Sequence, residues 1–460
     1  MQRKRIIPRN PTSNGVNLSI FRSYDIRGIY PTELDEETAY KIGQAFVEST
    51  KAKKVTVGRD MRLSSLALFK ALSEGITTQG VDVYNMGEAP TECLYFTVGH
   101  YNYDGGIIIT ASHNPKNYNG FKLVKKMADR IDVIRGEEIG KIIKHGDFSE
   151  SEKKGTIKDI DIWQDFLNHI LSFIDVNKVK PFKVVIDASN GMAGKIIPQL
   201  VSKLPIEITP LNFDLDGNFP GHPPNPLLEG VADQISKEIV NRKADFGFIF
   251  DGDADRIFLI DELGNFIKGD VTLLLLAKYF LKKYPGKGIA YNVVCSKAVP
   301  EFVKKWRGRP IRTPVGFVNV REGLLKNDGV VSGEVSGHFS FKDNYYLDSA
   351  FITFLILLQI ISETDKRVSE IAFELSPYTK SPEINFEVKN KEAILNKLKE
   401  KYSDGKQDYL DGVTVEYDNW WFNVRLSNTE PLVRLTIEAD TKELLEEKKK
   451  ELIALIEEKN

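Results

Sequence analysis

The strongest constraint on the fold is a rhythm that runs through about the first 370 residues. Short apolar, β-rich runs each lead into turn residues or a helix-like stretch. Val55–Val57, Gly106–Ile109, Val184–Ile186 and Phe246–Phe250 are examples. A strand that is apolar throughout, rather than at alternate positions, is one covered on both faces, and its regular alternation with helices is the pattern of α/β units. Such units place their ligands at the loops that follow the strands. With 460 residues the chain exceeds what one core can organise.

Three breaks divide it. Asp147–Gly155 is polar and charged and reads as a linker. A second boundary is expected just after Arg256, where Ile257–Ile260 runs into the hairpin-type turn Asp261–Asn265. A third is expected at Ser362–Arg367, beyond which longer alternating strands such as Trp420–Leu426 and Leu432–Glu438 suggest a small α+β domain. The terminal helix Lys442–Glu458 carries Leu444, Leu445, Leu452, Leu455 and Ile456 on one face. The expected domains are thus 1–153, 154–256, 257–367 and 368–460.

A hydrophobic content of 42% supports buried cores, and 28% charged residues argue against a membrane protein. The longest apolar run, Phe351 to Ile361, is too short to span a bilayer and reads as a buried helix. A formal net charge of −2 without a long basic block argues against nucleic acid as the main partner. Two cysteines, Cys93 and Cys295, allow one bridge at most and favour a reducing compartment. The basic N-terminus lacks the apolar stretch of a signal peptide, so a cytoplasmic protein is expected.

Four segments carry chemistry. Thr110-Ala111-Ser112-His113-Asn114-Pro115 follows the apolar strand Gly105–Ile109. A serine on such a turn can be held as a nucleophile or phosphoryl carrier, although the same stretch also reads as a turn with capping side chains. Asp251-Gly252-Asp253-Ala254-Asp255-Arg256 sets three carboxylates at alternate positions. Like charges so close call for a hard cation with oxygen ligands, such as Mg²⁺. A calcium hand is the rival, yet Arg256 stands where that loop needs glycine, and the flanks read as strands. Gly333-Glu334-Val335-Ser336-Gly337-His338 can hydrogen-bond sugar hydroxyls, with His338 able to move a proton. Arg425-Leu426-Ser427-Asn428-Thr429-Glu430-Pro431 suits a phosphate, or is a polar hairpin turn.

In this order the four segments resemble the α-D-phosphohexomutase family, and its phosphomannomutase/phosphoglucomutase branch in particular. Tyr24–Gly28, Val57–Arg62, Asn119–Lys122 and Pro224–Pro226 also look like family segments, so the resemblance spans nearly the whole chain. It implies three related α/β domains with mixed sheets plus a C-terminal α+β domain around a central cleft, one motif to each. It implies that phosphorylated Ser112 exchanges its phosphoryl group with O1 or O6 of a hexose through a hexose 1,6-bisphosphate. Mg²⁺ would be held by Ser112, Asp251, Asp253 and Asp255. Lys122, His338, Arg27 and His113 would be catalytic. Arg256, Thr313, Gly316, Glu334, Ser336 and His338 would bind substrate, and Arg425, Ser427, Asn428 and Thr429 its phosphate. The expected partners are small sugar phosphates, with no nucleic acid or membrane, and the chain a monomer or homodimer.

Two departures bear on this. Ala254 stands where the family commonly has glycine, a change that an ordinary backbone conformation tolerates. Some members carry a lysine near the position of Val294, and Lys297 stands three residues further on. Phosphoglucosamine mutase is the alternative within the family, although its sugar loop usually has glutamine in place of Val335. Outside the family, a metal-dependent sugar phosphatase would share the serine and the aspartates.

Overall fold

Three times in succession the chain builds the same four-stranded arrangement. The computed structural model describes residues 15–146, 148, 150–388, 390–426 and 432–457. In the first unit the strands Lys54–Arg59, Asp82–Glu88 and Gly105–Ile109 are parallel, and Tyr118–Lys126 returns antiparallel beside the third. The second unit repeats this with Lys183–Asp187, Glu207–Leu211, Phe246–Phe250 and the antiparallel Ile257–Ile260. The third does so with Gly288–Asn292, Arg309–Thr313, Gly329–Gly333 and the antiparallel Phe339–Phe341. Numbered along the chain, each spatial order is 4-3-1-2. The parallel strands need crossovers, and helices such as Ser65–Thr78, Ala193–Val201 and Ala298–Lys305 supply them.

The fourth sheet is antiparallel throughout and carries the helices Lys391–Lys401 and Lys442–Glu457. Leu445, Leu452, Leu455 and Ile456 are buried there, with Leu444 packed at the margin. This core is separate from the rest.

The expected boundaries need correction. Ile157–Asp159 pairs with Asp82–Glu88, so the first sheet extends past residue 153. Ile257–Ile260 is the fourth strand of the second sheet, so no boundary falls at residue 256. The helix Val368–Leu375 buries Val368, Ala372 and Leu375 in the core that serves the third unit, beyond residue 367. In each case long-range packing, not local composition, decides where the unit ends.

The apolar run forms the helix Ala350–Ser362, buried on nearly every side. Phe351 packs against Phe166 and Phe250, and Phe354 against Phe248. At roughly 2 kcal/mol for each large apolar side chain removed from water, this helix of the third unit binds strongly to the second. Its N-terminus is capped by Ser349 and received by Glu92 of the first unit, which accepts from Ser349 Oγ and from Phe351 N (3.3 Å). Burial pushes the Glu92 carboxyl up to about 8. Both cysteines are buried and free. No helix among the described residues is long and apolar enough to cross a membrane.

A polar cluster braces the second unit at the end of the strand Lys183–Asp187. His222 lies 3.1 Å from Asp187 through Nε2 and bonds Pro223 O through Nδ1, while Asn212 donates to both Asp187 oxygens. Burial opposes a charge on His222, but the hydrogen bond and charge of Asp187 outweigh it and raise the imidazole above 6.5. A raised histidine stabilises the fold fully below its unfolded value, and that contribution disappears as pH rises through the folded one. His222→Asn is therefore expected to destabilise the protein most near pH 6 and least near pH 9. Urea unfolding of both proteins across that range checks the sign; a gap that widens with pH contradicts it.

Candidate active site

In each of the three units the loop between the third strand and its antiparallel neighbour carries one of the predicted motifs. The flanking pairs are Ile109 with Phe121, Phe250 with Ile257, and Gly333 with Phe339. All three loops leave the carboxyl end of a parallel strand. The structure brings them together.

Ser112 sits at φ 50°, the left-handed region that costs a non-glycine residue roughly 1 kcal/mol. The strain is held by its surroundings: Ser112 N donates to Thr110 Oγ1 (2.9 Å), and the residue is buried. This turn aims Oγ at the metal loop, where it donates to Asp251 Oδ2 at 2.9 Å. His113 Nδ1 lies 3.2 Å from Ser112 Oγ. Burial, together with Arg256 and Arg27, holds His113 well below the usual histidine range, so it is neutral at pH 7. Arg27 reaches the loop from the neighbouring strand and donates to Asn114 Oδ1 (2.6 Å), while Asp25 pairs with its Nε (2.7 Å).

Asp251, Asp253 and Asp255 are buried, and one oxygen from each lies within 4.8 Å of the others. Among the described residues, Asp253 Oδ1 and Asp255 Oδ1 have no hydrogen-bonding partner. Buried carboxylates that converge with oxygens left over fit a hard divalent cation such as Mg²⁺. Burial, with Asp255 and Asp253 adding repulsion, holds Asp251 well above the usual carboxylate range. For Asp255 burial works the same way, but Lys122 and His338 outweigh it and hold the group well below. Lys122 Nζ bonds Asp253 Oδ2 (2.7 Å) and Asp255 Oδ2, and these carboxylates overcome its burial to keep it charged. The calcium-hand alternative is excluded by the flanking antiparallel strands. Glu262, its twelfth position, instead accepts from Ser369 Oγ and N.

Ala254 does not have an ordinary backbone: its φ is 58°, and its methyl group is fully buried. Glycine would relieve roughly 1 kcal/mol of strain but lose about 0.8 kcal/mol of methyl burial and gain unfolded-state freedom. Ala254→Gly is thus expected to shift stability by less than about 1 kcal/mol. Denaturant unfolding measures this, and a loss of more than about 2 kcal/mol would assign the methyl group a packing role.

The loop Gly333–His338 lies beside these groups, with Glu334 buried and Ser336 and His338 half-buried. Glu334 Oε1 accepts from Asn292 Nδ2 (2.8 Å) and Gly316 N (3.1 Å), which places Gly316, at φ 116°, against the loop. Thr313 Oγ1 lies 3.2 Å from Tyr291 O, at the foot of the same wall. His338 Nδ1 is 3.1 Å from Ser336 Oγ, and its Nε2 accepts from Arg256 Nε (3.3 Å) 3.5 Å from Asp255 Oδ1. Arg256 also lies 3.7 Å from Asp251. Arg256 and His338 thus join the metal and sugar loops.

Arg425 is nearly buried and pairs with Glu383 (2.8 Å), which also binds Arg434, its cross-strand neighbour (2.9 Å). Among the described residues its partner therefore lies in its own domain rather than beside Ser112. Ser427, Asn428 and Thr429 lie outside the described residues. Lys297 pairs with Asp440 (2.9 Å) of the fourth unit and so does not reach the sugar loop in place of a lysine at Val294.

Some neighbours carried no sequence signal. Thr91 donates to Asp253 Oδ2 at 2.6 Å from the start of the helix Thr91–His100. Asp348, buried, lies 3.9 Å from His338 Nε2, and burial followed by repulsion from Asp255 raises its carboxyl well above the usual range. A proline-led helix start is a visible feature at Thr91; nothing local marks Asp348.

A buried serine thus stands against three converging carboxylates, with two arginines and the loop of Glu334, Ser336 and His338 alongside, a set of groups that phosphoryl transfer calls for. Comparison with known proteins agrees. The four domain models of phosphoglucomutase/phosphomannomutase match residues 18–150 (α/β/α domain I), 164–264 (domain II), 268–378 (domain III) and 383–455 (C-terminal domain). A phosphomannomutase of Vibrio cholerae is 37% identical over 95% of this chain and 98% of its own length. One of Methanocaldococcus jannaschii is 37% identical over 96% and 98%. The crystal structure of a phosphoglucomutase/phosphomannomutase family protein from Burkholderia thailandensis superposes with a TM-score of 0.85 at 31% identity, covering 96% and 98%. The chain belongs to the phosphoglucomutase/phosphomannomutase family. It is an intramolecular phosphotransferase acting on hexose phosphates.

Proposed function

We propose that the protein interconverts the 1- and 6-phosphates of mannose and glucose through a phosphoserine at Ser112. The observation that carries this reading is the hydrogen bond from Ser112 Oγ to Asp251, made by a strained serine at the mouth of the carboxylate cage. Mannose is placed first because the similar full-length proteins are phosphomannomutases.

The chain's residues divide the work. Asp251, Asp253 and Asp255 would hold Mg²⁺, which when bound neutralises charge on the transferring phosphoryl group. Ser112 carries that group to a hexose 1-phosphate, whose O6 accepts it to give the 1,6-bisphosphate. The bisphosphate then returns its other phosphoryl group to Ser112. Lys122 and Arg27 orient and neutralise the group in flight. Neutral His113 supports the serine loop. His338, linked to Ser336 and Arg256, handles the proton of the sugar hydroxyl. Glu334, Ser336, Thr313 and Gly316 hold the ring, while Arg425 with Ser427, Asn428 and Thr429 grips the distant phosphate. The enzyme works on free sugar phosphates in the cytoplasm, as a monomer or homodimer, and without nucleic acid.

The test is product analysis with Mg²⁺ and a trace of hexose 1,6-bisphosphate on mannose, glucose and glucosamine 1-phosphates. Formation of 6-phosphates, fastest from mannose or glucose, supports the reading. Inorganic phosphate as the main product would make the protein a phosphatase, and a clear preference for glucosamine would place it with the phosphoglucosamine mutases.

A further inference from the structure

Arg62 lies outside the motif loops, yet its guanidinium makes four hydrogen bonds at the serine loop. It donates from Nη2 to Ser112 O (2.8 Å) and Asn114 O (2.6 Å), and from Nη1 to Pro115 O (2.8 Å) and Tyr118 O (3.1 Å). Three backbone carbonyls of the loop that bears Ser112, and one from the first residue of the strand that follows, therefore converge on one planar cation. Its Nε faces Asp60 Oδ2 at 3.2 Å, and Asp60 is itself fixed by Ser65 Oγ (2.7 Å) and Arg62 N (3.0 Å). Both side chains are buried.

The guanidinium also lies under the Phe219 ring, 5.0 Å from its centroid. Phe219 belongs to the second unit, and its ring edge borders Gly252 of the metal loop. Gly217, two residues earlier, packs on the Arg62 backbone. Arg62 thus touches the serine loop on one side and the unit that carries the carboxylate cage on the other. A rigid fork with several fixed donors suits this task, because a lysine ammonium cannot reach four carbonyls in one plane.

We propose that Arg62 is a positioning residue for phosphoryl transfer: it sets the place and the left-handed turn of Ser112 relative to the carboxylates of the metal loop. The proposal rests on the reading of Ser112 as the phosphoryl carrier. A misplacement of about 1 Å at a reacting atom costs on the order of a hundredfold in rate. Substrate binding uses other loops, so KM is untouched.

Arg62→Lys tests this, with Asp60→Asn as a milder variant that keeps the guanidinium but loosens its anchor. Each protein is first loaded to completion with labelled hexose 1,6-bisphosphate, and the label on Ser112 is counted to give active sites. Turnover per labelled site and KM for mannose 1-phosphate are then measured with Mg²⁺. The expected result for Arg62→Lys is a kcat per labelled site lower by about 10- to 100-fold, with KM within about twofold. A merely structural role would lower the number of labelled sites but not the rate at each. Unchanged kcat per site, or a rise in KM that accounts for the loss, overturns the proposal. Should Arg62→Lys fail to fold, Asp60→Asn decides: a roughly threefold or larger fall in kcat per site upholds it, and an unchanged rate overturns it. Wild-type protein that takes up no label on Ser112 overturns the carrier reading and the proposal with it, whereas labelled wild type with unaffected variants overturns the proposal alone.

Discussion

Ser112→Ala is expected to lower mutase turnover by at least about four orders of magnitude, close to the limit of detection. Binding energy cannot replace the lost step, because in this mechanism every phosphoryl group that moves passes through the serine oxygen. The substitution removes one oxygen that is hydrogen-bonded to Asp251, and the neighbouring Thr110 bond to the backbone remains. Folding should therefore survive, as near-identical circular dichroism and unfolding curves would show. Alanine takes up the φ 50° turn about as readily as serine, so no strain is added. A coupled assay measures the loss, and labelling with hexose 1,6-bisphosphate should show no covalent phosphate in the variant. A variant that retains more than about a hundredth of wild-type turnover would mean that the phosphoryl group travels another way.

The second large effect is expected at the metal loop. Asp253→Asn keeps the shape of a side chain that Thr91 and Lys122 already hold in place, but it removes a carboxylate from the cage that would hold the cation. Losing one charged oxygen ligand should weaken Mg²⁺ binding, and loss of transition-state charge neutralisation costs roughly a hundred- to a thousandfold in rate. The half-saturating Mg²⁺ concentration for activity should rise, and kcat should stay low even at saturation. Unaltered Mg²⁺ dependence with activity within about threefold of wild type would remove Asp253 from the ligand set. The effect should exceed that of Ala254→Gly by far, although the residues are adjacent, since one change alters charge and the other only backbone strain.

Much of the site was legible because its chemistry is local. Ser112 and the three aspartates each follow an apolar strand within a few residues, and the spacing of the acids alone argues for a cation. The ends of the units were less legible. Ile257–Ile260 reads as the start of something new because an apolar strand carries no mark of which sheet it joins; its pairing with Phe246–Phe250 is what assigns it. Ile157–Asp159 was missed in the same way, its side chains all exposed and its sheet membership set by Asp82–Glu88 alone. Asp348 reaches His338 only after the chain has turned through two short strands. The left-handed backbone of Ala254 has no signature in an alanine. Arg62 was part of a recognised segment, but its partners are main-chain carbonyls, which look alike in every sequence.

Three copies of one strand order give the chain three equivalent addresses, and nothing in the strands dictates what is written at each. Nucleophile, cation cage and hydroxyl grip could diverge by rewriting short loops while the scaffolds beneath them stayed alike. The division also gives each task a loop of its own, with Arg256 and His338 as the link between two of them. A change of sugar can be tried at the third address, around Val335, without rewriting the phosphate chemistry at the first two. That separability is a route by which one architecture comes to serve several hexoses.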